Sequence, residues 1–180
     1  MNLPNFLSLL RIILVPVIII FLIQEEYTDA LITFTIAGLT DIFDGLLARA
    51  LNCQTKLGAF IDPMADKLLL ASSFVSLSVF GLIPSWLTVI VISRDFIIVL
   101  GMVILSMMSI TYEIKPAFIS KVTTAFQLAT IFFALLFKAV VHDTSGFNWI
   151  KILCWVTAIF TVISGVTYIT RGIKYLNRAA

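Results

Sequence analysis

Charge is scarce in this chain. Only 12% of its 180 residues are Asp, Glu, Lys or Arg, while 61% are hydrophobic, whereas a soluble domain is about one quarter charged and about half apolar. The shortage excludes an ordinary water-soluble fold and, with a strongly positive mean hydropathy, predicts a membrane protein. A net charge of +2 without any dense basic run excludes nucleic acid as a partner. Metal-binding and redox residues are scarcer still. Cys53 and Cys154 are far apart with no CxxC, and His142 is the single histidine, so neither a zinc site nor a disulfide framework is indicated. There is no small-residue cleavage site after the apolar run Ile12 to Ile23, which leads straight into Gln24, Glu25 and Glu26. This predicts a retained first helix rather than a signal peptide.

What the sequence has is apolar length. A span needs about 20 mostly apolar residues, and the sequence offers six candidate stretches: Leu9 to Ile23, Thr28 to Arg49, Gly58 to Phe80, Ser85 to Met108, Ala117 to Val141 and Asn148 to Ile169. Polar or turn residues separate them, including Gly81 with Pro84 and His142 to Gly146. No linker, repeat or soluble segment intervenes, so residues 1–180 are read as one all-α integral membrane domain, a six-transmembrane-helix bundle. Asn2 to Arg11, where polar residues interrupt the apolar ones, is expected to form a short N-terminal interfacial segment. One set of loops and ends carries Arg11, Arg49, Lys56, Lys67, Lys115, Lys121, Arg171, Lys174 and Arg178. The other carries Glu25, Glu26, Asp29 and Asp143 with Lys138 and Lys151. The positive-inside rule then predicts both termini in the cytoplasm.

Five of the ten acidic residues, Asp41, Asp44, Asp62, Asp66 and Asp95, fall inside these spans. There a lone charge costs at least about 2.5–3.5 kcal/mol near the bilayer centre. Asp41 and Asp44 lie one turn apart, with Ala48 continuing their face, and Asp62 and Asp66 share a face at i and i+4. The short connection between the two helices predicts antiparallel neighbours, so four carboxylates converge at one depth on the cytoplasmic side. Such a cluster repels itself unless cations neutralise it, and its oxygen-only donors suit Mg²⁺, Mn²⁺ or Ca²⁺. Two divalent ions would balance four carboxylates. Arg49 and Lys67 are then the nearby cations for a diphosphate, and Gly45, Ala48 and Gly58 leave room for a bulky ligand. Two other readings are interhelical ion pairs with Arg49, Lys67 and Arg94, and a membrane ion or proton transporter using intramembrane carboxylates.

The same residues resemble a known family. D-x2-D-G-x2-A-R-x8-G-x3-D-x3-D, complete over Asp41 to Asp66, is the signature of the CDP-alcohol phosphatidyltransferases. The likeness continues in NLPNFLSLLRI at the start, Thr40, Asp66-Lys67, Ser93-Arg94-Asp95 and Ser120-Lys121-x2-Thr124-x2-Gln127. It implies a six-helix bundle, commonly a homodimer, in the cell (inner) membrane with a cytoplasmic polar cavity. The reaction it implies moves a phosphatidyl group from CDP-diacylglycerol to an alcohol and releases CMP. Carried over, Asp41, Asp44, Asp62 and Asp66 would hold two divalent cations, Mg²⁺ or Mn²⁺, and Asp66 would be the general base. Thr40, Gly45, Ala48, Arg49, Gly58 and Lys67 would bind the CDP-lipid.

The acceptor is less sharply marked. The start and the Asp66-Lys67 region look like phosphatidylglycerophosphate synthases, which use glycerol 3-phosphate. The Ile92 to Asp95 and Lys115 to Leu128 stretches are similar to cardiolipin synthases, which use phosphatidylglycerol. Glycerophosphate-using members usually carry an arginine about two turns after the Arg94 position, where this chain has Gly101 and Met102. That departure tips the expectation narrowly to phosphatidylglycerol. Arg94, Lys121, Thr124 and Gln127 are the expected acceptor-binding residues. A structural salt bridge for Arg94 and Asp95, and hydrogen bonding inside the bundle for the Lys121, Thr124, Gln127 stripe, are the competing readings. Trp86, Trp149 and Trp155 are expected to anchor or pack.

Overall fold

The structure is a computed structural model that describes the backbone of residues 3–50, 58–107, 118–140 and 147–179, and the side chains of residues 9–40, 65–101, 118–140 and 149–173. A chain this apolar must satisfy its backbone polar groups internally, and helices do so segment by segment. The described elements are α1 (Leu3–Ile23), α2 (Tyr27–Ala50), α3 (Gly58–Val79), α4 (Ser85–Met107), α5 (Phe118–Val140) and α6 (Phe147–Ala179). They coincide with the six apolar stretches, with two differences. α1 is one helix from Leu3, with Pro16 inside it, so residues 3–11 are its first turns rather than a separate element. α6 continues to Ala179, well past Ile169, because hydrophobicity limits a span but not a helix.

By length and composition, α5 and the Trp149–Ile173 part of α6 are apolar enough to cross a membrane, and Leu9–Ile23 is a shorter apolar helix. The distribution of side chains is that of a protein facing lipid. Ile13, Ile36, Val89, Phe96, Ile159 and Val166 are exposed, while Arg11, Ser73, Arg94, Gln127, Thr130, Thr161 and Ser164 are buried. Water would favour the reverse; hydrocarbon favours polar groups turned into the bundle.

The core joins Ile18 and Leu22 of α1, Phe34 of α2, Phe74 and Leu77 of α3, Leu87 and Val91 of α4, Ile131 and Leu135 of α5 and Cys154 of α6. Ala30, Ala37, Ala134 and Ala158 are buried as well, small residues that let helix backbones approach closely. α1 packs on both α2 and α3, α5 on both α2 and α6, and α4 on α6 and α3. The antiparallel pairing of α2 with α3 is thereby modified. Among the described residues these helices are joined chiefly through α1 and α5, and Phe132 and Phe133 of α5 line the groove between them.

α1 and α3 end in the same hydrogen-bonded cap. Glu26 N–H donates to Phe21 C=O (2.9 Å) and Glu25 N–H to Leu22 C=O (3.2 Å), while Leu82 N–H donates to Leu77 C=O (2.9 Å) and Gly81 N–H to Ser78 C=O (3.1 Å). Both caps need one left-handed residue. Gly81 (φ 71°) supplies it freely, whereas Glu25 (φ 60°) carries a side chain in that conformation. Opposite effects are expected. Glu25→Gly should stabilise by about 1 kcal/mol and Gly81→Ala destabilise by a similar amount, read as thermal unfolding midpoints in detergent. Equal shifts in the same direction would contradict the cap assignment.

Candidate active site

The four aspartates divide between two helix ends. Asp41 and Asp44 lie in the last turns of α2, and Asp62 and Asp66 in the second and third turns of α3. The side chains of Asp41, Asp44 and Asp62, and those of Gly45, Ala48, Arg49 and Gly58, lie outside the described residues. Asp66 is described and is 41% exposed at its side chain. It opens into a groove of about 380 Å³ between α2, α3 and α5, lined otherwise by residues such as Phe34, Leu39, Leu69, Leu128 and Phe132. Gly38 of α2 and Thr124 of α5 complete the wall near it.

The carboxylate of Asp66 accepts a charged hydrogen bond from the Nη1 of Arg11. Arg11 is 1% exposed, buried on the same face of α1 as Ile18 and Leu22. It was not among the expected site residues. The signal was available, since positions 11, 18 and 22 repeat at i, i+7 and i+11 and so share one face of a helix. Arginine suits the position because its fork fixes the direction of a carboxylate as well as its charge.

Lys67, the next residue, turns to α4. Its ammonium lies 2.5 Å from Asp95 Oδ1, the same oxygen that accepts from Arg94 Nη1 at 2.6 Å. Arg94 Nη2 donates to Ser120 Oγ of α5 at 2.7 Å and to Ser164 Oγ of α6 at 2.9 Å. Arg94 is 4% exposed, so the structural salt-bridge reading describes its surroundings, with four helices meeting around one guanidinium and carboxylate. The helix of Gly165 passes close by, and a Cβ there would lie 3.6 Å from Arg94 Cγ.

The stripe of Lys121, Thr124 and Gln127 is not brought together. Residues i, i+3 and i+6 span about 600° of rotation and so drift around the helix. Lys121 is exposed. Thr124 lines the Asp66 groove and donates to Ser120 C=O at 3.1 Å. Gln127 is fully buried against α6, its Nε2 3.5 Å from Thr161 Oγ1. Thr40 lies half-buried, its hydroxyl donating to Ile36 C=O at 2.6 Å. Among the described residues no three His, Cys, Asp or Glu side chains group together, since Asp66 is the single described member of the signature set. Its oxygen donors and its exposure on the groove fit a hard divalent cation.

The sequence profile of the CDP-alcohol phosphatidyltransferases matches residues 1–163. The chain belongs to this family. Individual CDP-alcohol phosphatidyltransferases and related synthases align with it over most of its length. A human (Homo sapiens) protein named cardiolipin synthase (CMP-forming) is 37% identical over 189 residues, covering 96% of this chain and 62% of its own length. A Bacillus subtilis (strain 168) protein named CDP-diacylglycerol–glycerol-3-phosphate 3-phosphatidyltransferase is 33% identical, with 98% of this chain and 97% of its own covered. A Mycobacterium tuberculosis probable phosphatidylglycerophosphate synthase is 34% identical over 96% of this chain and 82% of its own. The chain thus spans 62% of the human and rat cardiolipin synthases it matches and nearly all of the Bacillus enzyme.

Proposed function

We propose that this CDP-alcohol phosphatidyltransferase transfers a phosphatidyl group from CDP-diacylglycerol to a glycerol-based alcohol and releases CMP. The observation that carries the reading is Asp66, an accessible carboxylate fixed by a buried arginine and lining a mostly apolar groove. Lipid chains fit such walls, and phosphates require the polar end.

In the reaction, Asp66 accepts the proton of the acceptor hydroxyl while its oxygen attacks the lipid-side phosphorus in line. The phosphorus–oxygen bond to CMP breaks, and CMP departs with that electron pair. Arg11 holds the Asp66 carboxylate in direction, and Lys67 supplies positive charge one residue away. Two divalent cations, Mg²⁺ or Mn²⁺, held by Asp41, Asp44, Asp62 and Asp66, would neutralise the diphosphate and the leaving group. Arg49 and the small residues Gly45, Ala48 and Gly58 would border the same site, with Thr40 one position before the first aspartate.

The acceptor favoured is phosphatidylglycerol. Gly101 and Met102 bring no cation where a small dianion would want one, and Arg94 is already engaged by Asp95 and two serines. Glycerol 3-phosphate remains the direct competitor, with Lys121 the exposed cation at the start of α5. The reading places all six helices across the cell membrane, both termini and the site in the cytoplasm, and the chain as a homodimer.

Purified protein in detergent is expected to release CMP from CDP-diacylglycerol with Mg²⁺ or Mn²⁺, to stop when a chelator removes the metal, and to resume on its return. Phosphatidylglycerol and glycerol 3-phosphate run side by side decide the acceptor. Absence of CMP with either acceptor, from well-folded protein, refutes the proposed activity.

A further inference from the structure

Asp95 has two cations on one oxygen. Lys67 Nζ and Arg94 Nη1 reach Asp95 Oδ1 at 2.5 and 2.6 Å. An interhelical tie needs only one charge of each sign, and a surplus charge in a poorly hydrated bundle is costly. Among the described residues the triad carries one positive charge in excess. Its burial is also graded, with Arg94 4%, Asp95 13% and Lys67 32% exposed at the side chain. The buried end is fastened to α5 and α6 by Ser120 and Ser164. The open end is the ammonium, carried by the residue that follows Asp66 in α3.

A lysine without such a partner would sample many rotamers of its four-carbon stem. Adjacent residues on a helix also diverge by about 100°, so Lys67 does not follow Asp66 by position alone. Asp95 sets where the charge stands. α3 is held at two successive residues by two different helices, Asp66 by Arg11 of α1 and Lys67 by Asp95 of α4, and this fixes its rotation about its own axis.

We propose that Asp95 is a positioning residue. Anchored through Arg94 to α5 and α6, its carboxylate holds the Lys67 ammonium beside Asp66, where the surplus positive charge meets a phosphate group of the substrates. The inference rests on the proposed transferase reading for its effect on turnover, but the clamp itself can be read without turnover.

Asp95→Asn keeps the size and removes the charge. Two measurements follow on the purified chain: labelling of Lys67 by an amine reagent, read by mass spectrometry with exposed Lys121 as reference, and CMP release. Asp95→Asn is expected to raise Lys67 labelling several-fold against Lys121 and to lower kcat/KM by about tenfold or more. Lys67→Met should lose as much, and the double variant no more than either single one, because both act through one ammonium. Where Asp95→Asn does not fold, Ser164→Ala loosens the Arg94 anchor instead, with a smaller rise in labelling and a smaller loss of rate expected. Unchanged Lys67 labelling, or losses that multiply in the double variant, overturns the positioning role. Absence of CMP from the wild-type chain would instead strike the transferase reading, and the labelling would still decide whether Asp95 holds Lys67.

Discussion

Asp66→Asn is expected to lower CMP release by about three orders of magnitude or more while the protein still inserts and folds. Asparagine has nearly the same shape, and its carbonyl oxygen can still accept from Arg11, so the groove between α2, α3 and α5 keeps its wall. Two things are lost together. The amide takes up no proton from an attacking hydroxyl, and a carboxylate ligand for a hard cation becomes a weaker neutral one. Removing a general base alone costs about 10²–10⁴-fold, and weakening the metal site adds to that. Turnover is measured as CMP formed, and folding by gel filtration and thermal unfolding in the same detergent. A wild-type rate in this variant would remove Asp66 from the base role, since no other described carboxylate lines the groove.

The second large effect concerns stability. Arg94→Met is expected to destabilise the protein by about 3 kcal/mol or more, the range found when one partner of a buried ion pair is removed. Methionine roughly fills the volume, so the loss is polar. Asp95 would keep only Lys67, and the hydroxyls of Ser120 and Ser164 would lose the donor that joins them across α5 and α6. Arg94→Lys should recover only part, because a single ammonium cannot reproduce a planar fork reaching three partners. Thermal unfolding midpoints in detergent give the order wild type, lysine, methionine. An unchanged midpoint for Arg94→Met, together with a raised KM for the acceptor, would return Arg94 to the acceptor-binding role.

The helices were legible because hydrophobic length is local information. Each apolar stretch became one helix, and Gly81 with Pro84 marked the α3–α4 turn that a left-handed glycine now closes. The side chains of Asp41, Asp44 and Asp62 lie outside the described residues, but the placement of Asp41 and Asp44 in α2 and of Asp62 and Asp66 in α3 was legible for the same reason. Partners distant in sequence were not. Nothing in the spacing could match Arg94 to Ser120 and Ser164, which lie 26 and 70 residues away. Arg11 shows the opposite case. Its face was readable from Ile18 and Leu22, but a lone arginine near the start of an apolar run also satisfies the pattern of an interfacial residue, and only packing on α3 separates the two. The residues of the expected acceptor stripe do not share one face, since a spacing of six residues carries Gln127 away from the face of Lys121.

The hydroxyls between α5 and α6 have a consequence for how the bundle is assembled. Thr123 donates to Ile119 C=O of its own helix at 2.8 Å and approaches Phe160 C=O of α6 at 3.1 Å. Thr130 bonds Phe126 C=O at 2.8 Å and meets the Thr157 hydroxyl at 2.7 Å, and Thr161 bonds Thr157 C=O at 2.7 Å. Thr123, Thr130 and Thr161 therefore each have a partner on their own helix, whereas the Thr157 hydroxyl is bonded across the interface, to Thr130 and to Phe126 C=O. For those three residues helix formation alone satisfies the hydroxyl, while Thr157 and Gln127 find their partners only when α5 and α6 dock, which favours one register. A slip of a single turn would keep the local bonds of Thr123, Thr130 and Thr161 and forfeit the cross-helix set, so docking is the step at which these hydroxyls discriminate between registers.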